Sequence, residues 1–148
     1  MGDEELREML LTVIQTIAVV GIKAGGHDDA FRVPRYMQAQ GYRIIPVNPK
    51  LSAVLGERVS GSLLDLNGPV DLVNSFRAAD HIPGHVDEIL AMTTRPRAVW
   101  MQLGIRHEQA ATRLRDAGIP VIEDRCLMVE HRRLSALDSD AAARPGDQ

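Results

Sequence analysis

Thr16-Ile17-Ala18-Val19-Val20-Gly21 is a compact apolar run that ends in glycine, and it opens into Ile22-Lys23-Ala24-Gly25-Gly26-His27-Asp28-Asp29. A short apolar run bounded by turn residues reads as a buried strand. The Gly- and Asp-rich stretch from Lys23 to Asp29 reads as a loop. A helix follows, carrying Val33, Tyr36, Met37 and Gln40, with Gly41 as its left-handed stop. Proline is tolerated in the first turn of a helix, so Pro34 predicts a start no earlier than about Ala30.

The same alternation recurs on either side of this unit. Upstream, Leu6, Met9 and Leu10 share one face of a predicted helix over Asp3–Thr12. Downstream, strands are predicted at Arg43–Asn48, Val70–Phe76, Ala98–Leu103 and Pro120–Glu123. Helices are predicted at Pro83–Met92, His107–Ala117 and Leu127–Leu137. From Asp138 on, Asp, Ser, Ala, Arg, Pro and Gly dominate, so 138–148 is expected to be a disordered tail and 1–137 the folded domain. Strands alternating with helices imply right-handed crossovers. The expected fold class is α/β: three layers around a mostly parallel, five-stranded, doubly wound sheet.

Composition agrees with that class. The chain has 148 residues, enough for one domain. Hydrophobic residues make up 45% and aromatics only 3%, so the core must be aliphatic, as in a sheet covered on both faces. The net charge of −3 gives no ground for nucleic-acid binding. A single cysteine, Cys126, excludes an internal disulfide and suits a reducing compartment, and the acidic start is unlike a signal peptide. No apolar run is long enough to cross a membrane. A cytoplasmic location is therefore expected.

In open parallel sheets, ligands bind beyond the carboxyl ends of the strands, where the strand order reverses. The candidate site residues are those just after each strand. Gly21, Ile22 and Lys23 begin a loop that leads into a helix N-terminus, a place suited to phosphate, with Arg32 and Arg35 as further cations. The spacing is not G-x-G-x-x-G, so the dinucleotide fingerprint is missing. Asn48, Pro49 and Lys50 follow the second strand, where NAD-binding domains carry an acid for the ribose hydroxyls. A lysine there favours a ribose phosphate, as in coenzyme A or NADP, or is simply a solvated surface residue. Ser75, Phe76 and Arg77 end the third strand, with Phe76 either in the core or beside an adenine. Gln102 ends the fourth and either contacts an amide or hydroxyl of a ligand or caps the next helix. Cys126 begins the last helix, either as a small buried hydrophobe or as a thiol in contact with the ligand. His81 and His85 are four residues apart, but the H-E-x-x-H pattern is absent and no metal site is expected. No catalytic constellation is visible.

With these residues in view, the chain resembles the stand-alone coenzyme A-binding proteins, whose domain is similar to the N-terminal domain of the succinyl-CoA synthetase α subunit. The matching stretches are Ile17–Gly21, Arg32–Pro49, Leu55-Gly56-Glu57, Val70–Val73, Phe76-Arg77, Val99–Ile105 and Asp124–His131. The resemblance implies a Rossmann-like fold with CoA or an acyl-CoA at the strand ends. It also implies that the first loop and the Asn48-Pro49-Lys50 turn hold the nucleotide phosphates. Members of that family usually carry a Ser and further polar residues after the first glycine, where this chain has Ile22-Lys23-Ala24-Gly25-Gly26-His27. The synthetase's second domain and its phosphorylated histidine have no counterpart, so ligase activity is not expected.

Three functions remain open on the sequence. The first is a non-catalytic CoA-binding, carrier or sensor protein. The second is an NADP-dependent oxidoreductase. The third is a protein-interaction domain with a vestigial nucleotide pocket. Self-association and an unidentified protein partner are both left open.

Overall fold

The structure, a computed structural model, describes residues 1–142. Helix α1 (Asp3–Glu8) runs into a wider, π-type turn over Met9–Val13, where the periodicity predicts a regular helix to Thr12. The wide turn sends the Ile14 N–H to the Met9 carbonyl at 2.9 Å. The Leu10 carbonyl then accepts from the Tyr42 hydroxyl.

The chain continues through β1 (Thr16–Val20), α2 (Asp29–Ala39) and β2 (Arg43–Val47). Next come two short strands, β3 (Ala53–Val54) and β4 (Glu57–Arg58), then β5 (Leu72–Ser75) and α3 (Ile82–Ala91). The last elements are β6 (Ala98–Met101), α4 (Glu108–Asp116), β7 (Val121–Ile122) and α5 (Leu127–Ala142). The final helix extends past the predicted end at Leu137. No Gly or Pro interrupts the chain before Pro145, and each added helical residue gains a backbone bond at little cost. The remainder of the expected tail, 143–148, lies outside the described residues.

Five strands form one parallel sheet in the order β2-β1-β5-β6-β7. The α/β, doubly wound reading of the sequence is thus realised. From β1 the chain steps outward to β2, then crosses back to β5 on the other side of β1. The strand order reverses between β1 and β5, and the crevice opens at their carboxyl ends.

Burial on both faces explains the continuous apolar run of β1. Ile17 and Val19 face a cluster with Leu72, Trp100, Val33, Met37 and Leu127, covered by α1, α2 and α5. Ala18 and Val20 face the opposite cluster, with Val73, Val99, Val86, Ile89 and Leu114 of α3 and α4. Trp100, the only tryptophan, is fully buried and donates its indole N–H to the Arg125 carbonyl at 2.8 Å.

The β3–β4 hairpin has no counterpart among the predicted elements. It turns on Leu55 and Gly56, both with positive φ, and Gln38 Nε2 donates to the Leu55 carbonyl at 2.9 Å. Beyond it, Ser60 pairs with the β2 edge: its N–H donates to Pro46 at 3.0 Å and its carbonyl accepts from Asn48 at 2.9 Å. Pro46 has no N–H for the ladder, so an edge position suits it.

Candidate functional site

Two adjoining cavities open at the carboxyl ends of β1, β2 and β5. The outer one, about 390 Å³, is lined by Lys23, Asn48, Lys50, Phe76, Ala78 and residues shared with the inner one. The inner one, about 320 Å³, runs beneath α3 against Val20, Val47 and Leu63. Gly21, Pro49, Arg77 and His81 line both. A larger hollow of about 690 Å³ lies at the amino ends of β1 and β2, around Thr16, Arg43 and His131. The crevice rule favours the carboxyl-end pair, because only there do loops and helix N-termini converge on a strand reversal.

Gly21 has a φ of +80° and its N–H donates to the Val47 carbonyl at 3.0 Å. A Cβ at this position would lie 2.9 Å from Cδ of Arg77. The glycine therefore serves twice: it permits the left-handed turn, and it lets the Arg77 side chain lie across the backbone. Arg77 is in turn oriented by Ser75, whose buried hydroxyl oxygen accepts the Arg77 N–H at 3.2 Å.

Asn48 ties the first two loops together. Its Nδ2 donates to the Ile22 carbonyl at 2.8 Å, and its Oδ1 accepts the Lys50 N–H at 2.8 Å. Asparagine carries both donor and acceptor, which an aspartate here would not. The loop is further pinned by Pro34, which sits a full turn inside α2 rather than in its first turn. Lacking an N–H, it leaves the Ala30 carbonyl free, and that carbonyl accepts from the Lys23 N–H at 3.1 Å. Asp28 caps α2 through the Ala30 N–H at 2.9 Å and pairs with the Lys23 ammonium at 2.7 Å. The Lys23 contact and the Ala30 N–H hold the Asp28 carboxyl below its usual range.

The outer cavity thus has three cationic side chains, Lys23, Lys50 and Arg77, and no acid in its lining. Lys50 and Arg77 have no carboxylate partner among the described residues. Such a wall attracts an anion, and most strongly one with several charges.

Other candidates are placed elsewhere. The Ile22 side chain is fully buried in the core, so only its backbone faces this region. Arg32 pairs with Asp29 at 3.2 Å, and the Arg35 guanidinium lies 5.6 Å from the Phe31 ring centre. Neither arginine lines either of these two cavities. Phe76 packs against the core, as one of its two readings had it, and its remaining surface lines the outer cavity. Gln102 is a buried cap, its Oε1 accepting the Leu127 N–H of α5 at 2.9 Å. Cys126 is half-buried against the α2–α5 side of the core and lines neither cavity. The sequence reading did not anticipate Ser62, Glu88, or the approach of His81 and His85 to the site. Ser62 and Glu88 are 26 residues apart, and no spacing rule joins them.

Comparison with known proteins supplies the family. The family described as "CoA binding domain" matches residues 15–132. The chain belongs to the CoA binding domain family. The match covers all five sheet strands and every residue lining the two cavities. The chain is 38% identical over 127 residues to the uncharacterized protein YneT of Bacillus subtilis (strain 168), spanning 86% of this chain and 92% of that protein. Among solved structures, it is similar to a Thermus thermophilus protein termed cell-free ID.343. That likeness has a TM-score of 0.86 and 48% identity, covering 90% of this chain and 99% of the other. A hypothetical protein from Pyrococcus horikoshii OT3 matches with a TM-score of 0.84 and 32% identity, covering 90% and 92%.

Proposed function

We propose that this chain binds coenzyme A, free or acylated, in the crevice between β1, β2 and β5, and acts as a non-catalytic binding, carrier or sensor protein. The observation that carries this reading is the outer cavity, lined by Lys23, Lys50 and Arg77 and by no acid, with only Lys23 paired, to Asp28 outside the lining. Gly21, with its left-handed backbone, leaves room for the Arg77 side chain that lines both cavities. Lys50 follows β2 where a dinucleotide domain for NAD would carry an acid, and it suits the phosphate on the ribose of CoA. The half-buried ring of Phe76 offers a flat apolar wall for the adenine.

Thermal shift with CoA, acetyl-CoA, NADPH and ATP in parallel tests the proposal. At about 100 times its dissociation constant, a ligand adds roughly 2.7 kcal/mol of stability. The expected result is a rise in melting temperature with CoA and acetyl-CoA, larger than with ATP. A response to NADPH alone would identify the oxidoreductase reading instead. No response to any of the four would leave the interaction-domain reading.

A further inference from the structure

The hollow at the amino ends of β1 and β2 has the volume of a small-molecule site, about 690 Å³, and shares no lining residue with the carboxyl-end crevice. Its base is held by backbone bonds. The Arg43 N–H donates to the Gln15 carbonyl at 2.8 Å, and the Gln15 and Thr16 N–H groups donate to Asp71 Oδ2 at 2.9 and 3.0 Å. Asp71 is spent on these contacts and on Arg97, 3.4 Å from its Oδ1. No acid lines the hollow among the described residues. Its apolar wall is Leu11 and Ile14, set by the π-type turn over Met9–Val13, together with Tyr42. Turns of that type recur at functional sites.

Two side chains in the lining have hydrogen-bonding capacity to spare. Arg43 has no carboxylate partner among the described residues. His131 is only 5% exposed, and its Nδ1 lies 2.9 Å from the Tyr36 hydroxyl. Its Nε2 meets no partner. The sealed, unpartnered side-chain atoms among the described residues are Asn74 Nδ2 and Oδ1 and His85 Nε2, and His131 Nε2 is not among them. It therefore keeps an opening, and the hollow is the space its ring lines. A hydroxyl can donate to Nδ1, which leaves the proton of the neutral ring on Nε2 as a donor. One guanidinium, one neutral donor and an apolar wall suit a single negative charge on an apolar body. The cation count is too low for a polyphosphate, and there is no acid to hold an ammonium group.

We propose that this hollow is a second ligand site, for a small monocarboxylate with an apolar body. Arg43 and His131 Nε2–H hold the carboxylate, and the body rests on Leu11, Ile14 and the Tyr42 ring. Tyr36 is a positioning residue: its hydroxyl fixes the tautomer of His131. The inference does not rest on the CoA reading, because it uses the opposite ends of the strands.

Titration of the full chain with 4-phenylbutyrate, its amide and 4-phenylbutylamine, followed by ¹H–¹⁵N NMR, tests the site. An affinity on the order of 1 mM is expected for an acid this small. The acid should move the amides of Gly41, Arg43 and Ser135 and the ring signals of His131, and leave Gly21, Lys50 and Arg77 in place. The amide should bind about three- to tenfold more weakly, and the amine not at all. Arg43→Gln changes an exposed side chain and should bring the acid down to the level of the amide. Ser135→Leu, at a lining position of α5 where leucine favours the helix, should obstruct the hollow and abolish the shifts. Equal binding of acid and amide, an unchanged affinity in Arg43→Gln, or shifts that survive Ser135→Leu overturns the inference. So does the absence of saturable shifts around the hollow, or their appearance at the carboxyl ends instead.

Discussion

Gly21→Ala is the substitution most sensitive to the geometry of this site. The backbone at Gly21 has a φ of +80°, and an alanine in that region costs roughly 1–2 kcal/mol. For a chain of this size, that lowers the melting temperature by about 3–8 °C. The new Cβ would also stand 2.9 Å from Cδ and 3.2 Å from Cγ of Arg77. Arg77 N is 3.5 Å away, so the arginine backbone can stay while its side chain must swing off. Losing a charge-assisted contact to the ligand costs about 1.5–3 kcal/mol, or about tenfold or more in affinity. Gly118→Ala is the matched control. It has a φ of +83° at the end of α4, yet a Cβ there meets nothing within 4 Å. Both variants should lose similar stability by thermal melting, and only Gly21→Ala should lose CoA affinity by calorimetry. Equal affinities in the two variants would refute the argument that Gly21 exists to seat Arg77.

Three other outcomes follow from contacts already described. Lys50→Ala should weaken CoA by several-fold while leaving 3′-dephospho-CoA unchanged, as measured by competitive binding, because only the former carries the ribose phosphate. Asn48→Ala removes the bridge between the Ile22 carbonyl and the Lys50 N–H, and should cost about 1–3 kcal/mol in chemical denaturation. His131 is buried between Tyr36, whose hydroxyl lies 2.9 Å from Nδ1, and Tyr42, and burial holds its pKa below the ordinary 6.5. The unfolded chain therefore takes up that proton first as pH falls, so the stability from neutral His131 is complete above about pH 6.5 and declines below it. Urea melts from pH 7.5 to 5.5 should show a steeper loss for the wild type than for His131→Gln.

The sheet was legible because its signals are long and redundant. β1 carries four apolar residues in a row that serve two faces, and each strand is followed by a glycine, a proline or a charged turn. The β3–β4 hairpin was not legible, because two-residue strands have no periodicity and Leu55, unusual at positive φ, hides the turn. At the site, Gly21, Lys23, Asn48, Pro49, Lys50, Phe76 and Arg77 could be picked out by position alone, since a parallel sheet puts strand ends together. Arg32 and Arg35 could not be excluded from sequence, because their partners Asp29 and Phe31 lie on their own helix and compete for them locally. Gln102 was expected either at a ligand or as a cap on the next helix, and it caps α5, which packs beside β6 only in the folded chain. The Ser62–Glu88–His85 cluster joins a short helical turn to α3, and only the folded chain brings them together.

An amide ¹H–¹⁵N titration with CoA tests the central claim most directly, because it reports binding and location together. The account predicts saturable shifts at Gly21, Lys23, Lys50, Arg77 and His81, with Gly41, Arg43 and Ser135 around the larger hollow unmoved. Shifts concentrated at that opposite end of the sheet, or no shifts at all, would contradict it.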